Sequence, residues 1–490
     1  MVSSKNSAPA ADGMVERDSP RVWIDCTDTL VTHFHTGIQR VVRNLIHFSR
    51  QTDPGCQPVV QAHGQWFVVA GDPMAAVATH SGKGISNNSE EESASLFTKR
   101  ISAMGGSALR RVRKALVPRK IASMLVDYTR WARWSLAYHP VEFQQGDILL
   151  LPDSTWNHHL PPDYVQLRNE GVKVALCLND ILPITHPQFF TRGASAKFRE
   201  WFHHAAPQVD FFVAISQTVR NELRDYVVQS FPDAEFTDDC FEWYPLGVAL
   251  DQSTPAGKIR AEVRAAFQER LCDKVSSPPF AHGPYLMVST IEPRKNHRLL
   301  LDAFDQVWSR RSDVRLCVVG VQGWMVDSIV ERMRQHARWG KQLFWFHDLS
   351  DTELAFAYKH SRAFVFPSLA EGYGLPIVEA LQHGLPVLAS DTPIHREVAG
   401  EFARYFQPTR ASELADLIDA IETERTLPEA REPREFQPTH WEQSVRTLLE
   451  KCRHMARSLD LRTASRNAAF IESHPRMMTR TPMAANVAMP

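Results

Sequence analysis

Glu371 and Glu379 stand eight positions apart in the run FVFPSLAEGYGLPIVEALQHGLPVLASD (364–391). The run predicts a strand ending at Pro367, a loop holding Glu371, Gly372, Tyr373 and Gly374, and a helix opening at Leu375–Pro376. Proline suits that first turn because its missing N–H has no partner to lose. The two glycines let the backbone come close to a ligand. The helix start offers unpaired N–H groups and the positive end of a dipole, which together attract an anion. Two carboxylates flanking such a point can touch different parts of one ligand whose phosphates rest between them. A structural turn with surface glutamates is the plain alternative. The joint fit of the glycines, the proline and both flanking strands favours a ligand site.

A second cluster, STIEPRKNH (289–297), follows the apolar run PYLMVST. Arg294 and Lys295 are adjacent cations at a strand-to-helix turn. Departure of a nucleoside diphosphate builds negative charge, and fixed cations stabilise it without reorganising. Alone, the pair would read as a solvated basic turn.

The elements that must position these groups follow from hydrophobic patterning. In the C-terminal half, apolar runs at 284–290, 314–320, 343–349, 363–368, 386–390 and 403–408 alternate with helical stretches. Leu300, Phe304, Val307 and Trp308 fall on one helix face, with Asn296 as its expected cap. This alternation predicts a parallel sheet covered on both faces, a Rossmann-like domain over 283–435. The N-terminal half repeats the pattern over 21–250, with strands at 21–27, 146–153, 172–180 and 209–216 and a helix over 36–50 entered through Gly37. Residues 251–282 read as a linker, 436–460 as one long helix, and 1–20 and 461–490 as a disordered leader and tail. Two doubly wound domains would face each other across a cleft, with ligands at the strand carboxyl ends.

These motifs resemble the family 4 retaining glycosyltransferases of GT-B fold, and the resemblance extends over both halves. It implies that Glu371 lies near the donor sugar, that Glu379 binds the nucleotide ribose, and that the backbone of Gly372, Tyr373, Gly374 and Leu375 receives the diphosphate. EPRKN resembles the donor-phosphate motif common among bacterial polysaccharide mannosyltransferases. Lys295 matches the family lysine, and Thr290 stands where many members carry arginine, a role that Arg294 would assume. THFHTGIQRVVRNL (32–45) resembles the first glycine turn, with Gly37 nearest the donor phosphates. LNDILPITHP (178–187) resembles the His-Asp segment, but the pair here is Asn179–Asp180, so the histidine is absent. AISQTVRNEL (214–223) and YPLGV (244–248) resemble a serine-bearing strand end and the exit to the linker, and Trp441 fits a terminal helix crossing back to the N-domain. The implied activity is retaining transfer of a sugar, with mannose from GDP-mannose as the expected donor, to a glycan or lipid-linked acceptor. No metal and no further cofactor are implied. The alternatives are a GT-B nucleotide-sugar epimerase and a non-catalytic GT-B partner subunit.

Composition bounds the rest. The chain has 490 residues, 55 Lys+Arg against 56 Asp+Glu, and 43% hydrophobic residues. That length exceeds one ordinary core, and the charge balance gives no reason to invoke nucleic acid. Seven cysteines without a C-x-x-C pair argue against a disulfide scaffold or structural zinc. No H-x-x-x-H, Asp-x-Asp at a strand end, or Gly-x-Ser-x-Gly elbow is present. With no secretory h-region and no long apolar run, a cytoplasmic location is expected. Residues 108–136 hold eight Lys/Arg and one acid, Asp127, among Tyr128, Trp131 and Trp134. That mixture suits peripheral contact with an anionic membrane, or equally a solvated helix face with buried tryptophans.

Overall fold

The computed structural model describes residues 20–32, 37–69, 128–129, 131–132, 134–157, 164–234, 236–248, 257–267, 283–424 and 430–473. The leader through residue 19 and positions 108–127 of the basic segment lie outside them. Two sheets organise the chain. The first carries β1 (Val22–Asp25), β2 (Cys56–Ala62), β3 (Gln65–Val68), β4 (His139–Pro140), β5 (Ile148–Leu151), β6 (Lys173–Leu178), β7 (Phe211–Ala214) and β8 (Phe241–Trp243), in the order β4-β3-β2-β1-β5-β6-β7-β8. The second carries β9 (Tyr285–Val288), β10 (Leu316–Val319), β11 (Leu343–Phe346), β12 (Ala363–Phe366), β13 (Val387–Ser390) and β14 (Ala403–Phe406), in the order β11-β10-β9-β12-β13-β14. Every pairing of the second sheet is parallel. Its strands β10, β12 and β13 are buried along their whole length, as strands covered by helices on both faces must be.

Strand order fixes where ligands can sit. In the first sheet the chain winds outward from β1 and returns beside it as β5. In the second it winds outward from β9 and returns as β12. Each return opens a crevice at the strand carboxyl ends, the switch point of a doubly wound sheet. Arg294 and Lys295 follow β9, and Glu371 follows β12. The two chemical motifs therefore meet at one switch point although they are far apart in sequence.

Leu300, Phe304, Val307 and Trp308 are all buried on helix His297–Arg310, as expected. Asn296 corrects one expectation. It occupies the cap position in a left-handed conformation (φ 57°), but its side chain does not cap the helix; its Nδ2 donates to the Pro408 carbonyl at 2.9 Å. The stretch read as linker contains helix Ala261–Phe267, whose Val263, Ala266 and Phe267 are buried in the C-terminal core. Arg260 fastens it through Glu353 at 2.8 Å and Asp348 at 2.9 Å. The terminal helix runs from Trp441 to Ser473, so part of the stretch read as tail is helical. No proline interrupts the chain between Trp441 and Pro475, which explains the extra length.

That helix is built on the N-terminal domain. Trp441, Val445, Leu448, Leu449, Cys452 and Met455 form its apolar stripe, buried with Val42, Leu45 and Ile46 of helix Gly37–Thr52. Ser444 Oγ donates to the Pro245 carbonyl at 2.7 Å, and Lys451 Nζ to Glu242 at 2.7 Å. Gly247 makes the close approach possible, since a Cβ there would stand 2.4 Å from Trp441 Cα. Gly247→Ala must push the helix away, an overpacking that costs about 1–3 kcal/mol. A lower denaturant midpoint, with faster amide exchange in the terminal helix, is expected. A wild-type midpoint would show that the helix is not seated there.

Candidate active site

The Glu371 carboxylate is the centre of the site. Arg294 Nη1 donates to its Oε2 at 2.6 Å and Lys295 Nζ to its Oε1 at 2.5 Å. Arg294 Nη1 also donates to the Ala370 carbonyl at 3.2 Å, and its Nε lies 2.9 Å from Glu292 Oε2. Lys295 stands over the Phe366 ring, 5.1 Å from its centroid. Glu371 is only 7% exposed. Burial pushes its carboxyl up, but the two cations outweigh burial and hold it down at about 2. Burial pulls the Lys295 ammonium down, with Arg294 adding to the effect. Burial also raises the Glu292 carboxyl against the pull of Arg294 and Lys295. The cluster is thus a nearly dry set of two basic side chains and two carboxyls, with Glu371 held ionised.

Gly374 takes the N-cap position of helix Leu375–Gln382 at φ 104°, a conformation that needs glycine, with Pro376 in the first turn. Glu379 lies inside the helix. Its Oε2 accepts from the Tyr358 hydroxyl at 2.8 Å, and its Oε1 is 2.6 Å from Arg40 Nη1. Arg40 belongs to the N-terminal domain, one turn after Gly37, which opens helix Gly37–Thr52. Thr290 follows β9, close to the loop after β10: a Cβ on Gly323 would lie 3.1 Å from its Cγ2.

The same loop seals the domains together. A Cβ on Gly372 would lie 2.1 Å from the Asn179 carbonyl oxygen. Ser216 Oγ donates to the Gly372 carbonyl at 2.9 Å and also caps its own helix by accepting from Val219 N. The Tyr373 hydroxyl donates to the Leu246 carbonyl at 3.3 Å. Glu397 accepts from the backbone of Gln217 at 2.7 Å and Thr218 at 2.8 Å, and Trp324 Nε1 donates to the Phe189 carbonyl at 2.8 Å. Asp180 faces this seam. Burial raises its carboxyl, opposed by Arg294 across the domain boundary. His186 bonds Thr185 and stacks on Phe189, a structural setting. Trp131 and Trp134 of the basic segment pack on the N-terminal core, with Trp131 Nε1 donating to Gln65 at 2.9 Å.

The structure thus brings Glu371, Arg294, Lys295, Asp180, Gly372 and Tyr373 to one seam, with Glu379 and Arg40 on the two sides of a second contact, one turn from Gly37. Sequence reasoning missed Glu292, Tyr358, Arg40 and Glu397. Arg40 carried a usable signal, three positions after the singled-out Gly37. Tyr358 and Glu397 carried none.

It also missed the acidic switch point of the N-terminal sheet. Asp25 ends β1 and Asp153 lies just past β5, both buried. Thr27 Oγ1 donates to Asp25 at 2.5 Å, and Thr29 donates to Asp153 through N at 2.7 Å and Oγ1 at 3.0 Å. Among the described residues no such group has the geometry to hold a metal ion. Burial pushes both carboxyls above the usual range, helped at Asp25 by repulsion from Asp28 and at Asp153 by repulsion from Asp25, and Asp153 goes furthest. A folded pKa above the unfolded one means that the native state holds the extra proton. Its stabilisation is full below the ordinary carboxylate pKa and is lost as pH rises through the folded value, here towards about 8. Asp153→Asn mimics the protonated acid. Relative to wild type its melting temperature should rise progressively between pH 5 and pH 8.5. A difference independent of pH would show that Asp153 is ionised in the folded protein.

Comparisons with known proteins follow these landmarks. Residues 283–436 match the model of glycosyl transferases group 1. The serotype-specific mannosyltransferase WbdA of Escherichia coli is 34% identical over 291 residues, 58% of this chain and 34% of that protein. The E. coli O-antigen chain mannosyltransferase B is 31% identical over 167 residues, 33% of this chain and 43% of that protein. The chain thus spans about a third of the length of the WbdA relatives it matches. Among solved structures, Anabaena Alr3699/HepE in complex with UDP and glucose superposes with a TM-score of 0.51 at 16% identity, covering 88% of this chain and 98% of that one. No helix among the described residues is long and apolar enough to cross a membrane. The two facing sheets form a GT-B fold, and residues 283–436, which hold both cations and both glutamates, are the part that matches the glycosyl transferases group 1 model.

Proposed function

We propose that the protein is a retaining glycosyltransferase that moves mannose from GDP-mannose to a glycan or lipid-linked glycan acceptor in surface polysaccharide or lipopolysaccharide synthesis. The observation that carries this reading is the pairing of Arg294 and Lys295 with Glu371 at the β9/β12 switch point, beside the helix start at Gly374. The donor's ribose meets Glu379, and its diphosphate lies against Arg294, Lys295 and the amides at Gly374–Leu375. Gly37, Thr290 and Asp180 line the same donor pocket. The names of the similar mannosyltransferases support the sugar.

Chemistry follows from charge placement. As the sugar–phosphate bond breaks, negative charge grows on the diphosphate and positive charge on the sugar ring. Arg294 and Lys295 are already fixed by Glu371 and Glu292, so they meet the first without rearranging. Glu371, ionised beside the ring, stabilises the second. The acceptor hydroxyl attacks from the face the diphosphate leaves and passes its proton to the departing phosphate oxygen, which gives retention without a protein nucleophile. Contact of segment 108–136 with an anionic inner membrane surface would bring the protein to a lipid-linked acceptor.

The donor test is a thermal-shift series, because a ligand that binds only the native state raises the melting temperature. Stabilisation by GDP and GDP-mannose, with turnover that survives EDTA, is expected. Stabilisation by UDP-sugars alone would overturn the donor, and activity lost to EDTA and restored by Mg²⁺ would overturn the metal-free account.

The two glutamates divide the work. Glu371→Gln removes a charge that matters most as the bond breaks, so kcat should fall more than nucleotide affinity. Glu379→Gln replaces a charged acceptor for ribose hydroxyls, worth about 1.5–3 kcal/mol, and should weaken binding of the bare nucleoside diphosphate. Measuring kcat and nucleotide Kd for both variants checks this, and the opposite pattern would reverse the roles.

A further inference from the structure

We propose that Arg40 is a further donor-binding residue: it is held on Glu379 in the donor-free protein and released to the diphosphate when the ribose takes that carboxylate, a role that rests on the donor reading of Glu379. The first reason is charge. Arg294 and Lys295 are matched by Glu371 and Glu292, and Asp180 adds a third carboxylate to their surroundings. The pair proposed to meet the phosphates already shares its charge with carboxylates. A diphosphate needs positive charge beyond theirs, and Arg40 is a cation beside the same helix, bound to a carboxylate that the ribose would claim.

The second reason is the asymmetry of the two bonds to Glu379. The Tyr358 hydroxyl donates to Oε2 at 2.8 Å and is buried within the C-terminal domain. Arg40 Nη1 meets Oε1 at 2.6 Å from the other domain, with Arg40 half exposed and Glu379 12% exposed. Tyr358 thus keeps the carboxylate oriented whether or not Arg40 is present. Arg40 is the exchangeable partner, because its half-exposed guanidinium can turn to water while the buried Tyr358 stays on the carboxylate. Gln39, Val41 and Val42 around it are buried, which turns Arg40 off the helix and towards the cleft. A guanidinium freed there presents a planar fork that matches two phosphate oxygens.

The test compares nucleosides with their diphosphates on the full chain by calorimetry. Guanosine and uridine report the base and ribose contacts without phosphates, whereas GDP and UDP add the phosphates. In Arg40→Met, affinity for the diphosphate that binds wild type should fall at least tenfold, while affinity for its nucleoside stays equal or improves. Arg40→Lys should recover part of the diphosphate affinity and a steeper salt dependence. Unchanged or tighter diphosphate binding by Arg40→Met would make Arg40 a plug on Glu379 and overturn the proposal. Equal weakening of nucleoside and diphosphate would also overturn it, by reducing Arg40 to a support for the carboxylate. Wild type that binds none of the four probes would sink the donor reading itself, and this proposal with it.

Discussion

A carboxylate that is buried but ionised must be answered by charge, and Glu371 sets that demand for the whole molecule. Arg294 and Lys295 can answer it only if the turn after β9 lies beside the loop after β12, which the parallel β9–β12 pairing ensures. Removing one partner of such a group leaves uncompensated charge in a dry place, at a cost of about 3–5 kcal/mol. The cluster is therefore a structural clamp as well as a chemical one. In the proposed reaction, that rigidity means a leaving diphosphate is met by groups already in position.

The loop that presents Glu371 has a second duty. Gly372 lies against the Asn179 backbone and Tyr373 reaches Leu246, so the segment that presents Glu371 also forms the seam between the domains. A side chain at Gly372 would wedge that seam apart. The proposed donor contacts and the domain seam thus share a few consecutive residues, and the glycine there serves close approach rather than flexibility.

Much of this was legible in the sequence, for physical reasons. The C-terminal strands are continuous apolar runs because both faces are covered, and each was located with its ends within three residues of those observed. The Glu371 loop and the Arg294–Lys295 turn were each visible as local motifs, but their direct contact was not, since strand order brings them together. The hairpin of β2 and β3 escaped notice: its turn is His63–Gly64, with φ of 51° and 78°, and histidine is a weak signal for a left-handed position. β8 is three residues long, too short for any periodicity. Asp25 and Asp153 looked like ordinary polar strand ends; that they are buried together depends on β5 returning beside β1. The helical part of the tail was hidden by its polar composition, and the helix within the linker by its Pro- and Ser-rich surroundings.

Glu397 gives the seam a mechanical character. It sits in the C-terminal domain, yet it accepts from the first amides of helix Gln217–Ser230 in the other. That helix end is consequently finished by a residue it does not own. When the domains swing apart, two backbone donors lose their acceptor and must turn to water, so the hinge and the helix tip loosen as one unit. Cleft opening is then not a silent rigid-body motion. It is written into the backbone at Gln217 and Thr218, where loss of amide protection counts how often the two halves part.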